Sequence, residues 1–103
     1  MLRPNFTAIS WEESGDLTVK GQSDPTEVSH IRGIVITLSQ THGGRAATIS
    51  KPVIVETIPN SGDWNAIVAA DGFAAGPVAA LGMETHDNAT VITWADALDI
   101  PKE

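Results

Sequence analysis

The sequence predicts an all-β sandwich of about seven strands in a single domain, residues 1–103, and three observations carry that expectation. Gly or Pro interrupts the chain at short intervals, from Pro4, Gly15, Gly21, Pro25 and Gly33 through to Pro101. Few uninterrupted windows are long enough for a helix of average length. Between the breaks lie short runs rich in Val, Ile, Thr and Trp, residues that suit a pleated, half-buried surface. Turn signals recur about every 8–12 residues, the spacing of short antiparallel strands.

The first strand is expected over Phe6 to Trp11, with Thr7, Ile9 and Trp11 on one face. Glu12 to Asp16 turns around Ser14-Gly15. Leu17 to Gly21 alternates, with Leu17 and Val19 on the side opposite Thr18 and Lys20. Ser23-Asp24-Pro25-Thr26 reads as a loop. His30 to Gln40 is the strongest β segment: Ile34, Ile36 and Leu38 share one face, and Val35, Thr37 and Ser39 the other. Thr41 to Arg45 is a turn. Ala46 to Ser50 and Val53 to Ile58 read as two short strands, or as one interrupted at Pro52 near a sheet edge. Trp64 to Ala70 alternates again. Pro77 to Thr85 and Thr90 to Leu98 suit a hairpin across His86-Asp87-Asn88. The alternative is an α+β fold with Phe73 to Leu81 or Trp94 to Ile100 helical. Gly76-Pro77 argues against the first of these helices.

Composition narrows the function classes. With no cysteine, disulfides, thiolate metal sites and thiol catalysis are excluded. Thirteen acidic against six basic residues give a formal charge of −7, which favours solubility. The basic residues are scattered singly, so nucleic acid and anionic membranes are unexpected partners. The apolar stretch Gly72 to Met83 is too short and too broken to span a bilayer, so no membrane insertion is expected. Met1-Leu2-Arg3-Pro4-Asn5 has no apolar segment behind it, which leaves two expectations, a cytoplasmic protein by default or a fragment of a longer exported one. Asn5-Phe6-Thr7 and Asn88-Ala89-Thr90 match the glycosylation triplet, a pattern that also arises by chance.

The order of pieces carries a resemblance. Leu17 to Gly21 leads through Gln22-Ser23-Asp24-Pro25 to Val28 and Ile31, then to Ile34-Val35-Ile36-Thr37-Leu38. Later come Gly62-Asp63-Trp64-Asn65-Ala66 and Phe73-Ala74-Ala75-Gly76-Pro77-Val78. Over roughly residues 15–95 this resembles bacterial immunoglobulin-like and fibronectin-type-III-like domains. In those families a strand ending in Gly precedes a long central strand, a later Gly-x-Trp opens another, and a Gly starts the penultimate one. The resemblance implies an immunoglobulin-like sandwich. The sequence departs from the pattern at Glu84-Thr85-His86, and it lacks the cysteines of antibody domains.

No motif specifies chemistry. His30, His42 and His86 are the only histidines, and their spacing fits no ligand motif, so no metal or cofactor is expected. Asp87-Asn88 with Glu84, or Asp24 with Glu27, offers oxygen ligands for calcium, but nothing matches a calcium-loop spacing and turn chemistry is the preferred explanation of Asp-Asn. No Ser lies in a nucleophile elbow, and His42-Gly43-Gly44-Arg45 lacks the lysine of a phosphate loop. Trp11, Trp64 and Trp94 are expected in the core, with Trp11 the best placed to remain exposed. The expected function is a non-catalytic interaction module that binds a protein partner or itself through a sheet edge or loop surface. The alternative is a carbohydrate- or calcium-binding module. Trp11, His42, His86 and Asp87 are the candidate ligand-binding residues.

Overall fold

A computed structural model describes residues 3–102. Met1 and Leu2, which open the segment read for a leader, lie outside the described residues. Seven strands form: β1 (Asn5–Trp11), β2 (Leu17–Gln22), β3 (Ile31–His42), β4 (Arg45–Pro52), β5 (Asp63–Val68), β6 (Gly76–His86) and β7 (Val91–Ile100). They divide into a three-stranded sheet of order β1-β2-β5 and a four-stranded sheet of order β4-β3-β6-β7, antiparallel throughout. The two sheets bury a shared core. The all-β expectation holds: of the two stretches weighed as helices, 76–81 of the first lies in β6 after a short irregular lead, and the second lies wholly in β7.

Alternation builds the centre. β3 buries Ile34, Ile36 and Leu38 on one pleat face, as expected, and lies between β4 and β6. Trp64 and Val68 of β5 enter the same core from the other sheet. Phe6, Trp64 and Trp94 form an aromatic cluster with ring centroids 5.6–6.3 Å apart. Each indole lies over a glycine on the neighbouring strand, Trp64 over Gly21 and Trp94 over Gly82. A Cβ on either glycine would overlap the six-membered ring.

Three local expectations fail for identifiable reasons. In β1 the register shifts between Phe6 and Ala8, so the extra residue Thr7 is exposed and Phe6, not Thr7, turns inward with Ile9 and Trp11. The segment after Pro52 is not a strand, because Val55–Thr57 closes a single 3-10 turn. The supposed loop after Ser23 contains a 3-10 helix, Pro25–His30. Asp24 caps that helix by accepting from the Thr26 amide at 2.9 Å, and Pro25 stands in its first turn, where no amide donor is needed. His30 therefore ends a helix and does not open a strand.

The chain enters and leaves at opposite ends of the sandwich. Asn5 pairs with Gln22 at one end, and Ile100 pairs with Gly76 at the other.

Candidate functional site

The four candidate ligand-binding residues fall into two separate pairs. β3 and β6 run antiparallel, with Ile31 opposite His86 and Ser39 opposite Ala79. That register puts His86 and Asp87 at one end of the sheet and the His42 hairpin at the other. Trp11 lies at the His42 end, where its indole Nε1 donates to the Pro101 carbonyl at 2.6 Å. It packs against the core and is half-buried. Trp64 and Trp94 are buried, so no two tryptophans share an exposed platform.

At the first end, Asp87 is exposed and its carboxylate lies 3.3 Å from both His30 Nδ1 and Arg32 Nη2. Its amide donates to the His30 carbonyl, and the Asn88 side chain accepts from the Thr90 amide. The left-handed position in this turn is taken by Ala89, with φ 68°, and not by Asp87 or Asn88.

His86 faces the other way. It is buried, with Nε2 2.6 Å from Glu84 Oε1. Glu84 is only 1% exposed, and its second oxygen accepts from Ser23 Oγ at 2.7 Å. Ser23 Oγ in turn accepts from Trp64 Nε1 at 3.2 Å. The chain Trp64–Ser23–Glu84–His86 crosses between the sheets and gives a buried carboxylate partners on both oxygens. Nucleophilic activation needs the imidazole between hydroxyl and carboxylate, whereas here the carboxylate lies between the other two. Glu84 faces the core while Asp87 faces solvent, so these two do not converge on a common ligand. Among the described residues no group of three or more His, Asp and Glu side chains is placed to hold a metal ion.

A different surface stands out, on the outward side of the four-stranded sheet. Its strands align residues in rows: Pro52, Val35, Met83 and Thr93 in one, Ser50, Thr37, Leu81 and Ala95 in the next. Thr48, Ser39, Ala79 and Ala97 form the third. None of the chain's 13 acidic and 6 basic residues falls in these rows. Leu81 and Met83 stand up from β6, 49% and 41% exposed, among alanine, serine and threonine. Val91 extends the apolar surface on β7. Thr37 and Ser50 tie their hydroxyls together at 2.9 Å, which occupies polar groups that would otherwise hold water.

The sheet margins differ from this face. β4 carries Arg45 and Lys51 and ends in Pro52; β7 carries Asp96 and Asp99 and is followed by Pro101. Lys51 lies opposite the inward-facing Ile36, and Asp96 opposite the inward-facing Ala80. Charges pointing inward at exposed edge strands oppose the addition of a further strand.

Leu81 and Met83 were not singled out from the sequence, although their alternation with buried Val78, Ala80 and Glu84 was there to be read. The sequence matches no family model and no curated protein.

Proposed function

We propose that the chain is a non-catalytic interaction module of immunoglobulin-like type that engages a protein partner through the outward face of its four-stranded sheet. The uncharged face carries this reading. In a chain of formal charge −7, three consecutive rows of side chains across four strands hold no ionisable group. Depletion of charge around protruding apolar side chains is the composition of the centre of a protein interface. The guarded margins favour the face over the sheet edge as the point of contact.

The strand order supports the type. The fourth strand pairs with the third and not with the fifth. That arrangement favours a fibronectin-type-III-like variant over the antibody constant type, whose fourth strand lies in the other sheet.

Site-specific photo-cross-linking in cells tests the proposal. A cross-linker at Leu81 is expected to yield a discrete protein adduct that disappears when Ala79→Arg is added. The same group at Lys20, on the outer side of the other sheet, is expected to yield none. Equal labelling at both positions, or none at Leu81, refutes the reading.

A further inference from the structure

We propose that the free edge of β5 binds an extended, acidic segment of another protein, which adds a fourth strand to the three-stranded sheet. This surface lies on the other sheet and goes beyond the preceding reading.

The direction of the backbone groups comes first. β5 is the last strand in the order β1-β2-β5. Ser23 N donates to the Gly62 carbonyl at 2.8 Å, so Ser23 and Gly62 form a hydrogen-bonded pair that continues the β2–β5 register. Antiparallel pairs alternate between bonded and unbonded. Trp64, Ala66 and Val68 therefore turn their amides and carbonyls toward β2, while Asn65 and Ile67 turn theirs toward the open side. Among the described residues no strand lies on that side to meet them. A row of unpaired amides and carbonyls at this spacing is complementary to another extended backbone.

The other three margins are closed. β4 ends in Pro52, which has no N–H, and turns Lys51 inward; β7 turns Asp96 inward and meets Pro101 beyond its end. β1 is broken by its bulge and tied to β7, since Arg3 donates to the Thr93 carbonyl and Trp11 to that of Pro101. β5 carries none of these devices. Its six residues hold no proline, its register with β2 is unbroken, and its inward side chains are Trp64, Ala66 and Val68.

The surroundings decide what the segment carries. A groove of about 450 Å³ follows this edge, lined by Asn65, Ala66 and Ile67 and, across the opening, by Lys51, Pro52 and Ile54. Ile54 and Ile67 are 65% and 49% exposed and offer apolar walls. Lys51 is the one ionisable group in the lining, and its ammonium has no carboxylate partner among the described residues. A carboxylate on the added strand complements it, whereas a basic side chain there sets like charge against like. Glu56 and Asp63, the acids nearest in sequence, lie outside the lining, and Ser61 donates to the Asp63 carboxylate. Lys20 stands on β2, with β5 between it and the added strand.

Fluorescence anisotropy of a short labelled peptide of alternating valine and glutamate, titrated with the purified chain, is the test. Saturable binding is expected, with slowed hydrogen exchange at the Asn65 and Ile67 amides. The same peptide N-methylated throughout lacks the ladder donors and is expected not to bind. Ile67→Pro removes an amide that faces solvent, a position where edge strands accept proline, and is expected to weaken binding by more than about tenfold with the urea midpoint held. If Ile67→Pro unfolds the chain, the methylated peptide decides. Lys51→Glu is expected to weaken the valine–glutamate peptide and to strengthen a valine–lysine one. No binding, equal binding of the methylated peptide, or indifference to Lys51→Glu would each overturn the inference. A dimer that Ile67→Pro dissociates also overturns it, by giving the edge to a second copy. The Leu81 adduct is expected to survive Ile67→Pro, so failure at the β5 edge leaves the outward-face reading standing, and loss of the Leu81 adduct from the unaltered chain leaves the edge standing.

Discussion

Gly82 lies directly across from Trp94 in the β6–β7 ladder, and the indole folds down onto the space that a side chain at Gly82 would fill. The glycine is required for close approach of a ring and not for an unusual backbone angle. Gly82→Ala is expected to push Trp94 outward and cost about 1–3 kcal/mol, the range for overpacking a well-filled core. Urea melts give the cost, and a red shift in tryptophan emission reports the displaced ring. An unshifted, equally stable variant would show that the indole has another place to go.

The two buried indoles differ in their N–H groups. Trp64 Nε1 donates to Ser23, whereas Trp94 Nε1 is buried with no hydrogen-bond partner among the described residues. Trp64→Phe therefore breaks a bond that Trp94→Phe does not. Trp64→Phe is expected to be the more destabilising by about 0.5–1.5 kcal/mol, the net worth of one hydrogen bond. Equal losses would mean that packing alone decides both positions.

The carboxylate–imidazole pair predicts strong coupling. Removing one partner of a buried pair leaves the other uncompensated, so Glu84→Leu is expected to cost about 3–5 kcal/mol. His86→Leu leaves Glu84 with Ser23 only and also destabilises. The double replacement is expected to cost less than the sum of the singles by more than about 0.5 kcal/mol. A double-mutant cycle that closes at zero would show the two side chains to be energetically independent.

The β3 stripe gives the sharpest contrast. Ile36 is 0% exposed, and Ile36→Ala is expected to cost about 2–5 kcal/mol, transfer energy plus a cavity. Thr37 lies on the outward face, and Thr37→Ala is expected to cost under about 1 kcal/mol. The reverse order in urea would place the strand one residue out of register.

Ala89 is the one described non-glycine residue with a left-handed backbone. Its Cβ crowds the carbonyl there, a strain of about 1–2 kcal/mol, offset in part by the greater freedom of an unfolded glycine. Ala89→Gly is expected to raise stability by up to about 1 kcal/mol in thermal or urea unfolding. A clear loss would assign Ala89 a packing role.

These predictions divide by how far apart their causes lie in the chain. The Ile34–Ile36–Leu38 stripe was legible because alternation is written in adjacent residues. The helix capped by Asp24 is also written locally, in Asp24-Pro25, but the same pair serves equally in a loop. The β1 bulge was hidden, since Thr7 fits the alternating pattern that the extra residue breaks. Ser23 and Glu84 are 61 residues apart, and no local pattern announces their bond. The uncharged face is less local still. Each strand contributes an unremarkable set of Ala, Ser, Thr or Leu, and only the register of four strands assembles them. Trp11, His42, His86 and Asp87 stand out by residue type, yet topology assigns them to opposite ends of the sandwich.

The placement of Asn5 and Ile100 at opposite poles has a mechanical meaning. β1 and β7 both run from the first pole toward the second, so tension applied between Asn5 and Ile100 acts along the strands. Ladder hydrogen bonds stand perpendicular to that direction. The β1–β2 and β6–β7 ladders are therefore strained in shear, with all their rungs sharing the load, and do not open one rung at a time like a zipper.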